Sequence, residues 1–328
     1  MSFDFPTSST RSSRLTIGVR DSGVGGLTVA RCIQEALPHA RLLYFADTAH
    51  VPYGGRAPEE IKHFALHIAQ FLIEHGAQIV VFACNTSSAI ALQTARETLS
   101  VPIVGTIIPG AIAAVAATKN HRIGVLATQA TVENGDYGRH IRALKPEVRV
   151  LEVACPDFVL LVESEQTESA EAHKAARRYL QQLLENNVDT IVLGCTHYPL
   201  LLPTLREVAA EMNATHLHWI DPAEAIAADV RRIVAEKHLN VEYSNGNAFS
   251  HDAALSQGAA SAHNDDIFFA SGEQDGVRRW VHRLLGIAHP QMKSAPVFDL
   301  EPQMSTDECR RTFDKTSSTR MQRSDPKP

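Results

Sequence analysis

Ile79-Val80-Val81-Phe82-Ala83-Cys84-Asn85-Thr86 and Ile191-Val192-Leu193-Gly194-Cys195-Thr196-His197 are two versions of one design. Each is a largely β-branched apolar run that ends in a cysteine and passes at once into small polar residues. Such a run reads as a strand buried on both faces, the usual state of a parallel sheet covered by helices. It delivers its thiol to the carboxyl edge of the sheet, where open α/β sheets bind ligands. Two halves of the chain facing each other there would place the two thiols on opposite sides of one small molecule.

The flanking sequence supports two such halves. A first strand over Leu15–Val19 runs into Asp21-Ser22-Gly23-Val24-Gly25-Gly26. A helix burying Val29, Ile33 and Leu37 follows and stops at Pro38. Leu42–Ala46 reads as a second strand, with Asp47 and Thr48 at its end. The loop Val51-Pro52-Tyr53-Gly54-Gly55-Arg56 leads to a helix from about Pro58, whose Ile61, Phe64, Ile68 and Phe71 recur at helical spacing up to a C-cap at Gly76. After the Cys84 strand a short helix and a strand over Ile103–Thr106 are expected.

From about Arg122 the pattern starts again. Ile17-Gly18-Val19 returns as Ile123-Gly124-Val125, 106 positions on (123 minus 17). Arg41-Leu42-Leu43 returns as Arg149-Val150-Leu151, 108 on (149 minus 41), and Cys84 as Cys195, 111 on (195 minus 84). Pro109 with Ala111-Ile112-Ala113-Ala114 returns as Pro222 with Ala225-Ile226-Ala227-Ala228, an offset of 113 (222 minus 109) to 114 (225 minus 111). Four echoes in order with a slowly drifting offset indicate a duplicated βα unit. Asp221-Pro222-Ala223-Glu224 is a helix start with its N-cap, N1 proline and N3 glutamate.

The expected fold is therefore α/β: two pseudo-symmetric doubly wound, flavodoxin-like parallel-sheet domains with the active site in the cleft between them. The expected division is a flexible leader over 1–14, a first domain over 15–108 with 222–287 packing back on it, a second over 109–221, and a disordered tail over 288–328. Ile267–Ala270 reads as the last strand and Gly276–Gly286 as the last helix; 239–266 is polar and carries no clear pattern.

With 328 residues, 44% apolar and 21% charged, the chain is an ordinary globular one with room for two cores. A net charge of -6 without basic runs gives no reason for a nucleic-acid partner. No apolar stretch is long enough to span a membrane, and no membrane partner is expected. Five scattered cysteines do not form a disulfide framework, and a reduced, cytoplasmic protein is the better reading.

Cys32 lies within a helix and reads as a buried small hydrophobe, Cys309 sits in the tail without a role, and Cys155 ends a strand where it would line the site or simply pack. Cys84 and Cys195 stand apart, at equivalent strand ends beside expected helix N-termini, which stabilise a thiolate. Two opposed thiols suit the inversion of a carbon centre: one removes a proton from one face and the other delivers a proton to the opposite face. The alternatives are a zinc site from Cys84, Cys195 and His197, which lacks a standard ligand spacing; a Cys–His hydrolase, which leaves one cysteine unused; and a regulatory disulfide, disfavoured in the cytosol. The glycine-rich stretch after Asp21 matches neither nucleotide-binding spacing and lacks the lysine. Its glycines instead let the backbone approach a small ligand. Asp21 is a candidate for an ammonium group or a helix N-cap. Asn85, Thr86 and Thr196 offer neutral donors to carboxylates, and His197 is a core or capping residue or an acid–base support for Cys195.

Taken together, Asp21-Ser22-Gly23-Val24-Gly25-Gly26, Pro52-Tyr53-Gly54, Ala83-Cys84-Asn85-Thr86 and Gly194-Cys195-Thr196-His197-Tyr198-Pro199 resemble the glutamate racemases, within the cofactor-independent aspartate/glutamate racemase superfamily. The resemblance covers about residues 15–287. It implies Cys84 and Cys195 as the two acid–base catalysts. Asp21, Ser22, Tyr53, Gly54, Asn85, Thr86, Thr196 and His197 would contact glutamate, and Asp47 and Glu163 would support proton transfer. It further implies neither PLP nor metal, a homodimer, and a role in supplying D-glutamate for peptidoglycan. The chain departs from the resemblance at Arg20, where an apolar residue is usual, at Glu165, where glycine is common, and at Pro222, where serine is usual.

Overall fold

The computed structural model describes residues 14–239 and 265–300. The expected leader before residue 14, most of the polar stretch 239–266 and the tail beyond residue 300, Cys309 included, lie outside the described residues.

The strands are β1 (Thr16–Asp21), β2 (Arg41–Ala46), β3 (Ile79–Phe82), β4 (Ile103–Val104), β5 (Arg122–Ala127), β6 (Arg149–Ala154), β7 (Thr190–Gly194), β8 (His218–Ile220), β9 (Ile267–Ala270) and β10 (Gln291–Ser294). The helices are α1 (Leu27–Ala36), α2 (Pro58–Glu74), α3 (Asn85–Thr98), α4 (Ile107–Ala117), α5 (Gln129–Asn134), α6 (Asp136–Leu144), α7 (Pro156–Glu163), α8 (Ala170–Glu185), α9 (Leu202–Glu211), α10 (Ala223–Glu236) and α11 (Gln274–Leu285).

One sheet has the order β10-β9-β2-β1-β3-β4 and the other β6-β5-β7-β8. Every pairing is parallel. The run β2-β1-β3-β4 and the run β6-β5-β7-β8 are the same order, so the duplication seen in the sequence is a duplication of topology. The β3 and β7 that carry the cysteines are equivalent strands, each beside the first strand of its half. There the winding reverses direction, and a crevice opens at the carboxyl edge. Strand interiors are apolar on both sides because helices cover both faces: Ile79–Phe82 and Thr190–Gly194 are buried throughout. One buried apolar cluster continues from Ile17, Val19 and Leu27 of the first half to Leu126, Leu193 and Leu205 of the second and to Ile226 and Val230 of α10.

The chain differs from the sequence expectation in three elements. The helix after Cys84 is not short: α3 runs 14 residues. Its buried positions include Ser87, Ser88, Ala91 and Ala95, and small side chains pack without leaving an apolar stripe to read. The strand expected over Ile103–Thr106 pairs only at Ile103 and Val104, because α4 begins at Ile107. Nor is Ile267–Ala270 the last strand, and the chain from 288 is not featureless: β10 pairs in parallel with β9. Phe298 beyond it lies against Phe45, Phe71 and His67. Edge pairing through the backbone needs no hydrophobic alternation, so Gln291-Met292-Lys293-Ser294 carried no strand signal. The helix start read at Asp221 lies one residue on: α10 begins at Ala223 with Pro222 as its N-cap residue, while the Asp221 carboxylate accepts from the Ala223 amide at 3.0 Å.

Candidate active site

The carboxyl edges of the two sheets meet, and side chains from each hydrogen-bond across the meeting line. Thr196, after β7, donates to Asp21 Oδ1 at the end of β1 at 3.1 Å. Thr86 in the first turn of α3 bonds Thr128, after β5, at 2.8 Å. The Tyr137 hydroxyl on α6 donates to Asn85 Oδ1 at 2.7 Å. The Val24 amide donates to Glu163 Oε1 at the end of α7 at 3.2 Å. Into this seam both loops bring glycines. A Cβ on Gly25 would stand 2.6 Å from Thr196 Oγ1, one on Gly23 would stand 2.2 Å from Glu163 Oε1, and one on Gly54 would stand 2.9 Å from Thr128 Cβ.

Cys84 and Cys195 both sit in the seam, largely buried at 5% and 6% exposed. Cys84 is the N-cap residue of α3, and its carbonyl accepts from the Ser88 amide and the Ser87 hydroxyl, both at 3.0 Å. Its sulfur therefore lies where the helix amides and dipole favour negative charge. Burial raises the Cys84 thiol above its usual range and the Asp21 charge adds to that; Arg20 and the Ser87 backbone amide oppose it. Cys195 is different. It leads into a turn and one 3-10 turn, Tyr198–Leu201, before α9, so no α-helix N-terminus lies directly behind its sulfur. Instead His197 Nδ1 stands 3.7 Å from Cys195 Sγ, and His197 Nε2 lies 2.6 Å from Glu163 Oε1. Burial works against a charged His197, yet the sulfur and the carboxylate at its two ring nitrogens raise it well above the usual imidazole range. Burial likewise works against the Glu163 carboxylate, which His197 and the Val24 amide lower overall.

Asp21 does not cap a helix. α1 begins at Leu27 without any side-chain cap, whereas Asp21 is fully buried and accepts from the Gly23 amide as well as from Thr196. Ser22 is buried beside it. Asp47 and Tyr53 are drawn together behind the cleft: the Tyr53 hydroxyl donates to Asp47 Oδ2 at 2.5 Å, His50 Nδ1 lies 2.9 Å from the same carboxylate, and Ser271 donates to Oδ1 at 2.7 Å. Asp47 is thus joined to the cleft through other groups. Cys155 does not line the site: its Sγ turns back to the Val153 carbonyl at 3.5 Å inside the core. Arg20 points into the protein, with no exposed surface. Glu165 holds a left-handed backbone, φ 58, which explains why a glycine suits that position, and its carboxylate takes Arg279 of α11 at 2.9 Å.

Sequence reading missed Thr128, Tyr137, Ser87 and His50. The duplication held a signal for Thr128: it is the counterpart of Ser22 at the same offset of 106 (128 minus 22) as the two first strands. Tyr137 and His50 lie on segments without an echo in the other half. Among the described residues no cluster of His, Cys, Asp and Glu is arranged to hold a metal ion.

The profile of the Asp/Glu/Hydantoin racemase family matches residues 27–230. A glutamate racemase of Geobacter metallireducens is 47% identical over 220 residues, covering 67% of this chain and 78% of that one. The crystal structure of a glutamate racemase isoform from Bacillus anthracis superposes with a TM-score of 0.74 at 30% identity, over 87% of this chain and 99% of that one. The Francisella tularensis glutamate racemase in complex with D-glutamate gives a TM-score of 0.73 at 25% identity, over 87% and 99%. With its duplicated sheets, its two seam cysteines and these likenesses in agreement, the chain belongs to the Asp/Glu/Hydantoin racemase family.

Proposed function

We propose that the protein interconverts L- and D-glutamate by a two-base mechanism in which Cys84 and Cys195 act from opposite faces of the α-carbon, supplying D-glutamate for peptidoglycan in the cytoplasm. The observation that carries this reading is the placement of two buried thiols at equivalent strand ends on either side of one seam. In one direction a cysteine thiolate takes the α-proton and the opposite thiol gives its proton to the other face. The two sulfurs then hold each other's starting state, and the reverse reaction begins from there. Asp21 is the ammonium partner; Ser22, Asn85, Thr86 and Thr196, with Gly54 and the α3 amides, take the carboxylates. Asp21 and Thr196 now bond each other, Thr86 bonds Thr128 and Asn85 bonds Tyr137, so substrate enters by exchanging such contacts for its own. His197, fixed by Glu163, supports Cys195, and Asp47 acts through Tyr53.

The proposed partner besides glutamate is a second copy of the chain. Ile108 and Ile112 of α4 are 39% and 52% exposed on a helix apolar on every face, which is ordinarily a covered helix. With Leu92, Gly105 and Ala228 they line a groove of about 560 Å³ between α3, α4 and α10, edged by Arg96, Asp229 and Arg232. An exposed apolar groove shared by two copies about a two-fold axis suits isologous pairing.

Circular dichroism of L-glutamate, L-aspartate and a hydantoin with the protein separates this function from that of a sister racemase and from a non-catalytic binding module. Cys84→Ser and Cys195→Ser should each cripple racemisation, with opposite asymmetries on α-deuterated single enantiomers. Identical behaviour of both mutants with both enantiomers would defeat the two-base reading. Loss of activity on exhaustive chelation, restored by zinc, would favour a metal site instead.

A further inference from the structure

Arg20 is a complete cation without exposed surface, placed on β1 one residue before Asp21. A guanidinium taken out of water is costly unless its charge and donors are met. Here they are met only in part. Nη1 bonds Ser87 Oγ, Nη2 donates to the Tyr53 hydroxyl at 3.1 Å, and the group lies 5.4 Å from the Tyr53 ring centroid and 5.3 Å from that of Phe82. Nε has no hydrogen-bond partner among the described residues. The carboxylate tied to this network, Asp47, is reached through the Tyr53 hydroxyl rather than by an ion pair. A cation kept this way retains a field to spend on something nearby.

What lies nearby is the helix turn that carries Cys84. The Ser87 hydroxyl that meets Arg20 donates to the Cys84 carbonyl at 3.0 Å, so Arg20, Ser87 and Cys84 form one short chain. Cys195 has its own cation in His197, whereas the charges facing Cys84 from β1 and β7 are Asp21 and Cys195, both of which oppose a thiolate. We propose that Arg20 is a positioning residue for Cys84: a buried cation that fixes Tyr53 and the first turn of α3 and stabilises negative charge on the Cys84 sulfur. The inference rests on the racemase reading only in giving that charge a use. It makes the two half-sites chemically unlike, a permanent guanidinium behind one sulfur and a titrating imidazole beside the other.

The test is the rate of Cys84 alkylation by iodoacetamide against pH, followed by peptide mass in a Cys195→Ser background, for Arg20, Arg20→Leu and Arg20→Lys. Arg20→Leu should slow alkylation near neutral pH by about tenfold or more and move its midpoint up by about one pH unit, while Arg20→Lys should stay within about threefold. With Cys195 intact, Arg20→Leu should lower kcat far more than it changes KM, most for the enantiomer that Cys84 deprotonates. An alkylation profile in Arg20→Leu that matches the parent overturns the proposal. If Arg20→Leu does not fold, Arg20→Leu/Tyr53→Phe replaces the cation and its partner by apolar groups of similar shape, and its alkylation profile is read the same way. A protein that fails to racemise glutamate, yet shows the alkylation shift, sinks the functional reading and leaves this one standing.

Discussion

Asp21 gives one carboxylate oxygen to the Gly23 amide and the other to the Thr196 hydroxyl. Asn at this position keeps both bonds, since its carbonyl accepts from Gly23 and its amide donates to a hydroxyl that is able to accept. Asp21→Asn should therefore unfold within a few degrees of wild type. The lost charge should appear in catalysis, lowering kcat/KM about a hundredfold or more, on the order of 3 kcal/mol of transition-state stabilisation. Steady-state kinetics beside a thermal melt checks both halves; near wild-type turnover would remove Asp21 from the site. His197 supplies a pH dependence of stability. Its folded pKa is raised above the unfolded value of about 6.5, so its contribution is complete below that pH and is lost as pH rises through the folded value. Glu163 is lowered, so its share is present above about pH 4.3 and lost as pH falls through its folded value. The stability gap between wild type and His197→Gln should be widest between these limits and close toward alkaline pH, as read from denaturant midpoints at pH 5.5 and pH 9. A gap that widens with rising pH has the wrong sign for this pair.

At the scale of elements, β10 is the unexpected one. Parallel pairing with β9 covers an edge that would otherwise present unpaired backbone groups, and Phe298 closes an aromatic cluster with Phe45, Phe71 and Phe269. A chain ended at Ile287 should lose on the order of 2–3 kcal/mol and gain a tendency to aggregate through the bared β9. A melt and light scattering on the truncated protein measure this; an unchanged midpoint would make β10 an ornament of the sheet. The seam helices contribute in different ways. α3 places its N-terminus under Cys84, while the turn after β7 leaves Cys195 to His197. Duplication copied the strands and the thiols but not the device behind each thiol.

Across the whole molecule, the two sheets meet through polar bonds at the seam and a shared apolar cluster behind it. No described helix is long and apolar enough to cross a membrane. Among the described residues Ile108 and Ile112 of α4 stand exposed, and pairing of two copies there would bury them. Ile112→Lys should convert a dimer to monomer in sedimentation velocity with little change in far-ultraviolet circular dichroism. A dimer that survives this substitution uses another face.

Much of this was written in the chain itself. Two β-branched runs ending in cysteine fixed the strand type and its parallel setting, because burial on both faces leaves no other composition. Echoes of drifting offset fixed the duplication, hence the equivalence of Cys84 and Cys195. The place of Asp21, Asn85, Thr86, Thr196 and His197 at the sheet edge was legible for the same reason, since the strand pattern states where its edge is; Ser22 was singled out only by the resemblance. Tertiary structure decided the rest. That Asp21 turns to Thr196 instead of capping α1, that Arg20 lies inside with Ser87 and Tyr53, and that Cys155 faces the core depend on which side chains meet from distant segments. A two-residue period tells which face a side chain leaves from, not what it finds there. β10 was silent because an edge strand is held by backbone hydrogen bonds, which every residue but proline offers alike.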